Sequence, residues 1–161
     1  MNSRFVEISL GKQILTLHEC DNVVASFLVS TAANGPGEEV NSECTPRGRH
    51  EVDEKIGAGC IKNTVFVGRC ATGDIYDDNL SKINPEKDWI LTRILWLRGL
   101  ESGLNKGGSV DSKARYIYIH GSPDSNTMGF PGSRGCIRMR NDDIVKLFEL
   151  VEVGTPVNII D

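Results

Sequence analysis

Between Val6 and Val29 apolar side chains return at every second position, and this period most narrows the folds open to the chain. Val6, Ile8 and Leu10 share one face; Leu15 and Leu17 continue the alternation; Val23, Ala25, Phe27 and Val29 repeat it. A helix would repeat every 3.6 residues, so this spacing demands strands. Turn-forming stretches, Gly11-Lys12 and Cys20-Asp21-Asn22, punctuate the runs, which predicts an antiparallel β-domain.

Further along, Ala33 to Gly37 and Thr45-Pro46-Arg47-Gly48 read as loop and turn, and Val65 to Val67 as a short strand. Asp88 to Leu97 fits a strand better than a helix, because β-branched and aromatic residues dominate it. Ile90, Thr92, Ile94 and Trp96 would then face one way and Leu91, Arg93, Leu95 and Leu97 the other. Arg115 to His120 reads as a strand with Tyr116, Tyr118 and His120 on one face. One helix stands out. Asn141 is its expected cap, Asp142 and Asp143 suit the positive end of its dipole, and Ile144, Leu147, Phe148 and Val151 make one apolar stripe. Gly154 would end it, and Pro156 to Ile160 form a last strand. The expectation is one mainly β domain over residues 1–161 with a short helix near its C-terminus.

A chain of 161 residues can bury roughly 68–70% of its unfolded surface, so it needs neither metal nor disulfide to fold. A net charge of −4 and the lack of a Lys/Arg stripe argue against a nucleic-acid partner. Five cysteines without a C-x-x-C pair, and only three histidines, argue against a structural metal. Residues 1–10 lack the apolar core of an export signal, and no stretch approaches a membrane span. The expectation is therefore a cytoplasmic protein with reduced thiols and no membrane partner.

Chemistry concentrates in His120 to Met139, HGSPDSNTMGFPGSRGCIRM. His120 ends a strand, and a Gly/Pro-rich loop brings the chain back to Gly135-Cys136. An imidazole beside a thiol can take its proton and leave a nucleophilic thiolate. Gly135 lets a carbonyl approach the backbone, where N–H groups near Cys136 could stabilise an oxyanion. A small buried cysteine and a structural histidine would use the same residue types, and chemistry alone leaves both readings open.

The wording of the segment resembles the active-site motif of the YkuD-type L,D-transpeptidases: His-Gly, a loop, then Ser-His-Gly-Cys followed by Ile-Arg-Met or Ile-Arg-Leu. Here it stands as His120-Gly121 and Ser133-Arg134-Gly135-Cys136-Ile137-Arg138-Met139. Val29-Ser30-Thr31, Thr45-Pro46-Arg47-Gly48 and Val153-Gly154-Thr155-Pro156-Val157 are also similar to family features, so the likeness covers nearly the whole chain. It implies a YkuD-like β-sandwich or barrel with Cys136 as nucleophile and His120 as base. It further implies a substrate of peptidoglycan-derived tetrapeptide or muropeptide, attacked at the L-centred third residue with loss of D-Ala. The thioester then passes to an amine or to water, and no cofactor is needed.

One position departs from the pattern: Arg134 stands where the family usually has His. An always-charged guanidinium can lower a nearby thiol's pKa or hold a carboxylate through two hydrogen bonds. Arg138 and Ser133 are further candidates for substrate binding, Tyr118 for lining the cleft or orienting His120, and Arg93 and Trp96 for bordering the substrate. Cys20, Cys44, Cys60 and Cys70 read as packing residues. Three functions fit: an L,D-carboxypeptidase of muropeptide recycling, which the absent export signal and Arg134 favour; an envelope L,D-transpeptidase; or a non-catalytic wall-peptide binder.

Overall fold

The structure is a computed structural model that describes residues 3–161; Met1, read from the sequence as leading directly into a strand, lies outside them. Its strands are β1 (Arg4–Ser9), β2 (Ile14–Glu19), β3 (Asn22–Leu28), β4 (Gly48–Ile56), β5 (Thr64–Val67), β6 (Cys70–Ile75), β7 (Ile90–Gly99), β8 (Tyr118–Ser122), β9 (Ile137–Arg140) and β10 (Pro156–Ile160). The helices are α1 (Asp78–Ile83) and α2 (Asn141–Leu150). The chain is mostly β, as its alternation predicts.

All ten strands join one curled sheet in the order β3-β2-β1-β10-β4-β7, after which β7 pairs with β5 and β6 follows, while β8 and β9 branch from the other side of β7. The β1–β10 and β8–β9 pairs are parallel. The curl closes on itself: Ser30, just past β3, exchanges backbone hydrogen bonds of 2.9 Å each way with Arg138 on β9. Ala33 N–H reaches the Ser133 carbonyl, and Gly132 and Ser133 donate to the Thr31 carbonyl. The loop carrying the cysteine is thus stitched to the first quarter of the chain.

The alternating residues of β1 and β2 point into one core with Val52, Leu95, Leu97, Ile119, Ile137, Met139, Val157 and Ile159. Helix α2 lays Ile144, Leu147 and Phe148 on the same core. Burying each such side chain stabilises the fold by about 1.5–3 kcal/mol. A second, smaller cluster of Phe66, Ile94 and Tyr118 lies apart from it, with Cys60, Trp96 and Cys136 packed at its edge.

Several local expectations are revised. Strand β4 (GRHEVDEKI) escapes a hydrophobicity reading because only His50 and Val52 are buried in a run of charged residues. Strand β6 is exposed throughout, and α1 buries no residue, so neither leaves an apolar pattern. Strand β8 begins at Tyr118, not Arg115, because Tyr116 turns into the left-handed region at φ 57°. Asn141 does not cap α2; Arg140 occupies that position, and the Asn141 side chain is buried in a polar network. Cys20 and Cys70 are exposed and do not pack, whereas Cys44 and Cys60 are partly buried.

The alternation of β7 also breaks. Leu91 pairs with Gly121 but Ile94 pairs with His120, so Thr92 and Arg93 form a bulge. Thr92 sits at φ 75°, an outlier for a β-branched residue. Such strain costs about 1–3 kcal/mol and persists only when neighbours enforce it. Here its hydroxyl donates to Asn141 Oδ1 at 2.6 Å and accepts from the Asn63 N–H at 3.0 Å. Asn141 Nδ2 in turn donates to Asn63 Oδ1 and Asp124 Oδ1.

Candidate active site

Strand β8 delivers His120 and β9 is preceded by Cys136. The parallel register sets Ile119 beside Ile137 and His120 beside Arg138. With a side-chain period of two, Tyr118 and His120 on β8, and Cys136 and Arg138 on the neighbouring segment, all face away from the main core. Cys136 and His120 therefore share one face of one strand pair.

The His120 ring is fully buried. Its Nδ1 lies 2.7 Å from the Gly121 carbonyl, which can only accept, so Nδ1 carries the proton. Nε2 then bears the lone pair, and it is buried without a partner among the described residues. Burial also lowers the pKa of His120, which keeps the ring neutral. Gly121 has to be glycine: a Cβ would lie 2.5 Å from the Leu91 carbonyl oxygen and 2.6 Å from Asn141 Oδ1. The Leu91 carbonyl beside the bulge and the Asn141 side chain thus crowd the residue whose carbonyl orients the His120 ring.

The Cys136 thiol is held between main-chain groups. Its Sγ accepts from the Tyr118 N–H at 3.4 Å and donates to the Tyr116 carbonyl at 3.3 Å. Burial pushes the thiol pKa up to about 12, against the pull of the Tyr118 N–H and of Arg138 and Arg115. The resting sulfur is a thiol, hydrogen-bonded to Tyr116 and not to His120. Before it, Gly135 adopts φ 133° with the Cys44 carbonyl 3.2 Å from where a Cβ would stand, and Thr45 Oγ1 donates to the Gly135 carbonyl at 2.9 Å. Ser133 is buried; its hydroxyl donates to the Cys136 carbonyl and accepts from the Gly135 N–H, so it holds the turn rather than facing a cleft. The Cys136 N–H has no hydrogen bond to a turn or loop carbonyl among the described residues.

A model described as the L,D-transpeptidase catalytic domain, YkuD, matches residues 3–159. The chain belongs to this family. A stretch of 47 residues is 53% identical to the "Probable L,D-transpeptidase ErfK/SrfK" of Escherichia coli K12, covering 29% of this chain and 15% of that protein. Among solved structures, L,D-transpeptidase 3 from Mycobacterium tuberculosis in complex with a faropenem-derived adduct superposes with a TM-score of 0.61 at 15% identity, over 99% of this chain and 61% of that one. The L,D-transpeptidase from Mycobacterium smegmatis gives 0.57 at 17% identity, over 99% of this chain and 59% of that one. The chain therefore spans a small part of the curated relative and about three-fifths of the solved chains.

Two clefts meet at Arg134 in this L,D-transpeptidase domain. One, of about 390 Å³, is lined by Cys136 itself with Arg115, Tyr116, Asn41, Glu43 and Arg134. The other, of about 280 Å³, lies between the 76–89 and 123–126 segments and is lined by Arg134 and Arg138. Arg134 is exposed, and its one hydrogen bond among the described residues goes to the Glu86 carbonyl, at 3.3 Å. Arg138 is already engaged: its NH2 pairs with Asp88 at 2.7 Å and its NH1 donates to the Gly132 carbonyl, which leaves only Nε unpartnered. Arg93 is buried away from the clefts; it donates to the Cys60 and Thr92 carbonyls and stacks over Phe148 of the main core. Trp96 packs edge-on against Tyr118 at 5.9 Å.

Sequence reasoning passed over Asp88, Arg115 and Arg69. Arg115 ties down the 37–44 loop through the Glu38 and Cys44 carbonyls, and Arg69 hydrogen-bonds the Tyr118 hydroxyl. None carries a motif. Each is recognisable only by what lies opposite it in space.

Proposed function

We propose that this L,D-transpeptidase domain opens the L,D bond of peptidoglycan stem tetrapeptides through a Cys136 thioester and that water is its preferred acceptor. The observation that carries the thioester reading is a buried, neutral His120 whose Nδ1–H is committed to Gly121 and whose Nε2 is bare, on the same strand-pair face as Cys136. In the first step the Cys136 side chain rotates off the Tyr116 carbonyl, and Nε2 takes the thiol proton as sulfur attacks the carbonyl of the third residue. The Cys136 N–H faces the oxygen that becomes negative. Collapse expels the terminal D-residue, whose nitrogen receives the proton from His120. In the second step Nε2 accepts a proton from water, hydroxide adds to the thioester, and the thiol is restored.

The preference for water rests on Arg134. An exposed guanidinium at the junction of the two clefts, with Arg115 alongside, disfavours an incoming ammonium and leaves neutral water unaffected. It can also hold the free carboxylate of a tetrapeptide end. The competing reading, transfer to an amine, uses the same thioester.

Purified tetrapeptide incubated with a D-amino acid in excess, followed by mass spectrometry, distinguishes the two. Tripeptide and free D-Ala should dominate, Cys136→Ala should abolish both, and Arg134→His should raise the exchanged fraction. Mainly exchanged or dimeric product from the unaltered protein would overturn the water preference. Turnover surviving Cys136→Ala would overturn the mechanism. Because an L,D-transpeptidase of this fold is known with a faropenem-derived adduct, faropenem should also add to Cys136 and to none of the other four thiols.

A further inference from the structure

We propose that Arg69 is a positioning residue for the Cys136 thiol. It lies in the two-residue turn of the β5–β6 hairpin, where Gly68 and Arg69 have φ of 55° and 65° and Val67 pairs with Cys70. That turn needs left-handed backbone at both central residues, a place suited to glycine or asparagine. An arginine there lacks a local reason, so its side chain must supply one.

It makes three contacts on the active-site face. Its NH1 donates to the Tyr118 hydroxyl at 3.0 Å. Its guanidinium carbon lies 4.7 Å from the Trp96 ring centroid and 5.0 Å from that of Tyr116. Trp96 in turn meets the edge of Tyr118 and packs 6.0 Å from Tyr116. No carboxylate pairs with Arg69 among the described residues, so these rings are its partners.

The residues it grips are those whose main chain brackets the sulfur. The Tyr118 N–H donates to Sγ and the Tyr116 carbonyl accepts from it. Tyr116 holds a left-handed backbone at φ 57° in a turn closed by its own N–H to the Lys113 carbonyl and by the Ile117 N–H to the Ser112 carbonyl, while its side chain is left half exposed at 53%. Arg69 holds the two tyrosine side chains in place beside that turn, by its hydrogen bond to the Tyr118 hydroxyl and its packing on the Tyr116 ring. Because Tyr118 N–H is the hydrogen bond that persists when the thiol ionises, loosening this segment weakens support for the thiolate. Arg69 touches neither sulfur nor imidazole; it acts through the tyrosines.

The test follows Cys136 alkylation by iodoacetamide, mapped by peptide mass and measured across pH, beside steady-state tetrapeptide turnover. Only the turnover arm rests on the function proposed above. Arg69→Ala should slow Cys136 alkylation about tenfold at fixed pH, the ratio that one weakened hydrogen bond represents, and move its midpoint to higher pH. The kcat should fall in parallel while KM stays within about twofold. Tyr118→Phe should reproduce the effect, the double variant should be no worse than either single one, and Arg69→Lys should restore part of it. If Arg69→Ala does not fold, Tyr118→Phe decides by the same readouts. An unchanged alkylation rate and midpoint, additive losses, or a rise in KM alone would each overturn the proposal. A failure of tetrapeptide turnover in the unaltered protein would sink the functional reading, and the alkylation profile would still judge Arg69.

Discussion

His50 and His120 are both fully buried, and their surroundings assign them different work. His50 is saturated: Nδ1–H donates to the Gly48 carbonyl at 3.0 Å and Nε2 accepts from the Ser112 hydroxyl at 2.8 Å. His120 keeps one nitrogen bare. His120→Ala should therefore lower turnover by on the order of 10²–10⁴-fold, the range for a lost general base, in steady-state assays on tetrapeptide. His50 should reveal itself in stability. Burial holds its pKa down to about 4, so as pH falls below 6.5 the unfolded chain takes up the proton first. The stability tied to neutral His50 is whole above that pH and drains away down to about pH 4, by about 3 kcal/mol in all. His120, also depressed, adds in the same direction. Urea midpoints across this window should fall steeply in the native protein and less steeply in His50→Gln. Cys136 and His120 stood out as candidates because they match a family motif that is ordered along the chain. Asn141 was misread as a cap, since its type suits a helix start and nothing nearby reveals that Thr92, Asn63 and Asp124 await it.

At the scale of elements, the bulge in β7 lies directly opposite His120 and Gly121. Two extra residues stand between Leu91 and Ile94, and the Leu91 carbonyl at the start of the bulge lies 2.5 Å from where a Gly121 Cβ would stand. Gly121→Ala would drive a methyl group into that carbonyl and into Asn141 Oδ1. Destabilisation of about 1–3 kcal/mol is expected, a drop in Tm of several degrees. Turnover of the folded fraction should fall as well, because the carbonyl that fixes the His120 tautomer must move. Melting curves and active-site-normalised rates check the two parts separately. Alternation read β1 and β2 correctly, Leu15 and Leu17 above all, since burial on one face leaves a period-two signature, but it failed on β3 at Val23, which a register shift beside Leu17 leaves 61% exposed. It could not read β4 or β6: the first is rich in charge, and the second has no buried residue at all.

For the whole molecule, the site depends on closure. The Ser30–Arg138 hydrogen bonds join the first hairpins to the strand after Cys136, and the Arg138–Asp88 ion pair joins that strand to the segment before β7. The side chains of this pair are 15% and 23% exposed, so it is only partly screened by water. Asp88→Asn should destabilise the fold by about 2 kcal/mol by stranding a mostly desolvated guanidinium. Chemical denaturation reads this, and a cycle with Arg138→Met should show the losses to be strongly non-additive.

Short-range pattern along the chain was enough to specify the strands with one buried face and the C-terminal helix, because each follows from neighbours within a few residues, and likeness to a family motif singled out His120 and Cys136 as the candidate pair. Which carbonyl orients His120, why residue 121 must lack a side chain, what pairs with Arg138 and what grips Tyr116 and Tyr118 were decided by strand register and sheet closure. The Leu91–Gly121, Arg69–Tyr118 and Asp88–Arg138 contacts join residues 30, 49 and 50 positions apart. No local periodicity encodes them, since a contact across a curled sheet depends on the shape of everything between its two partners.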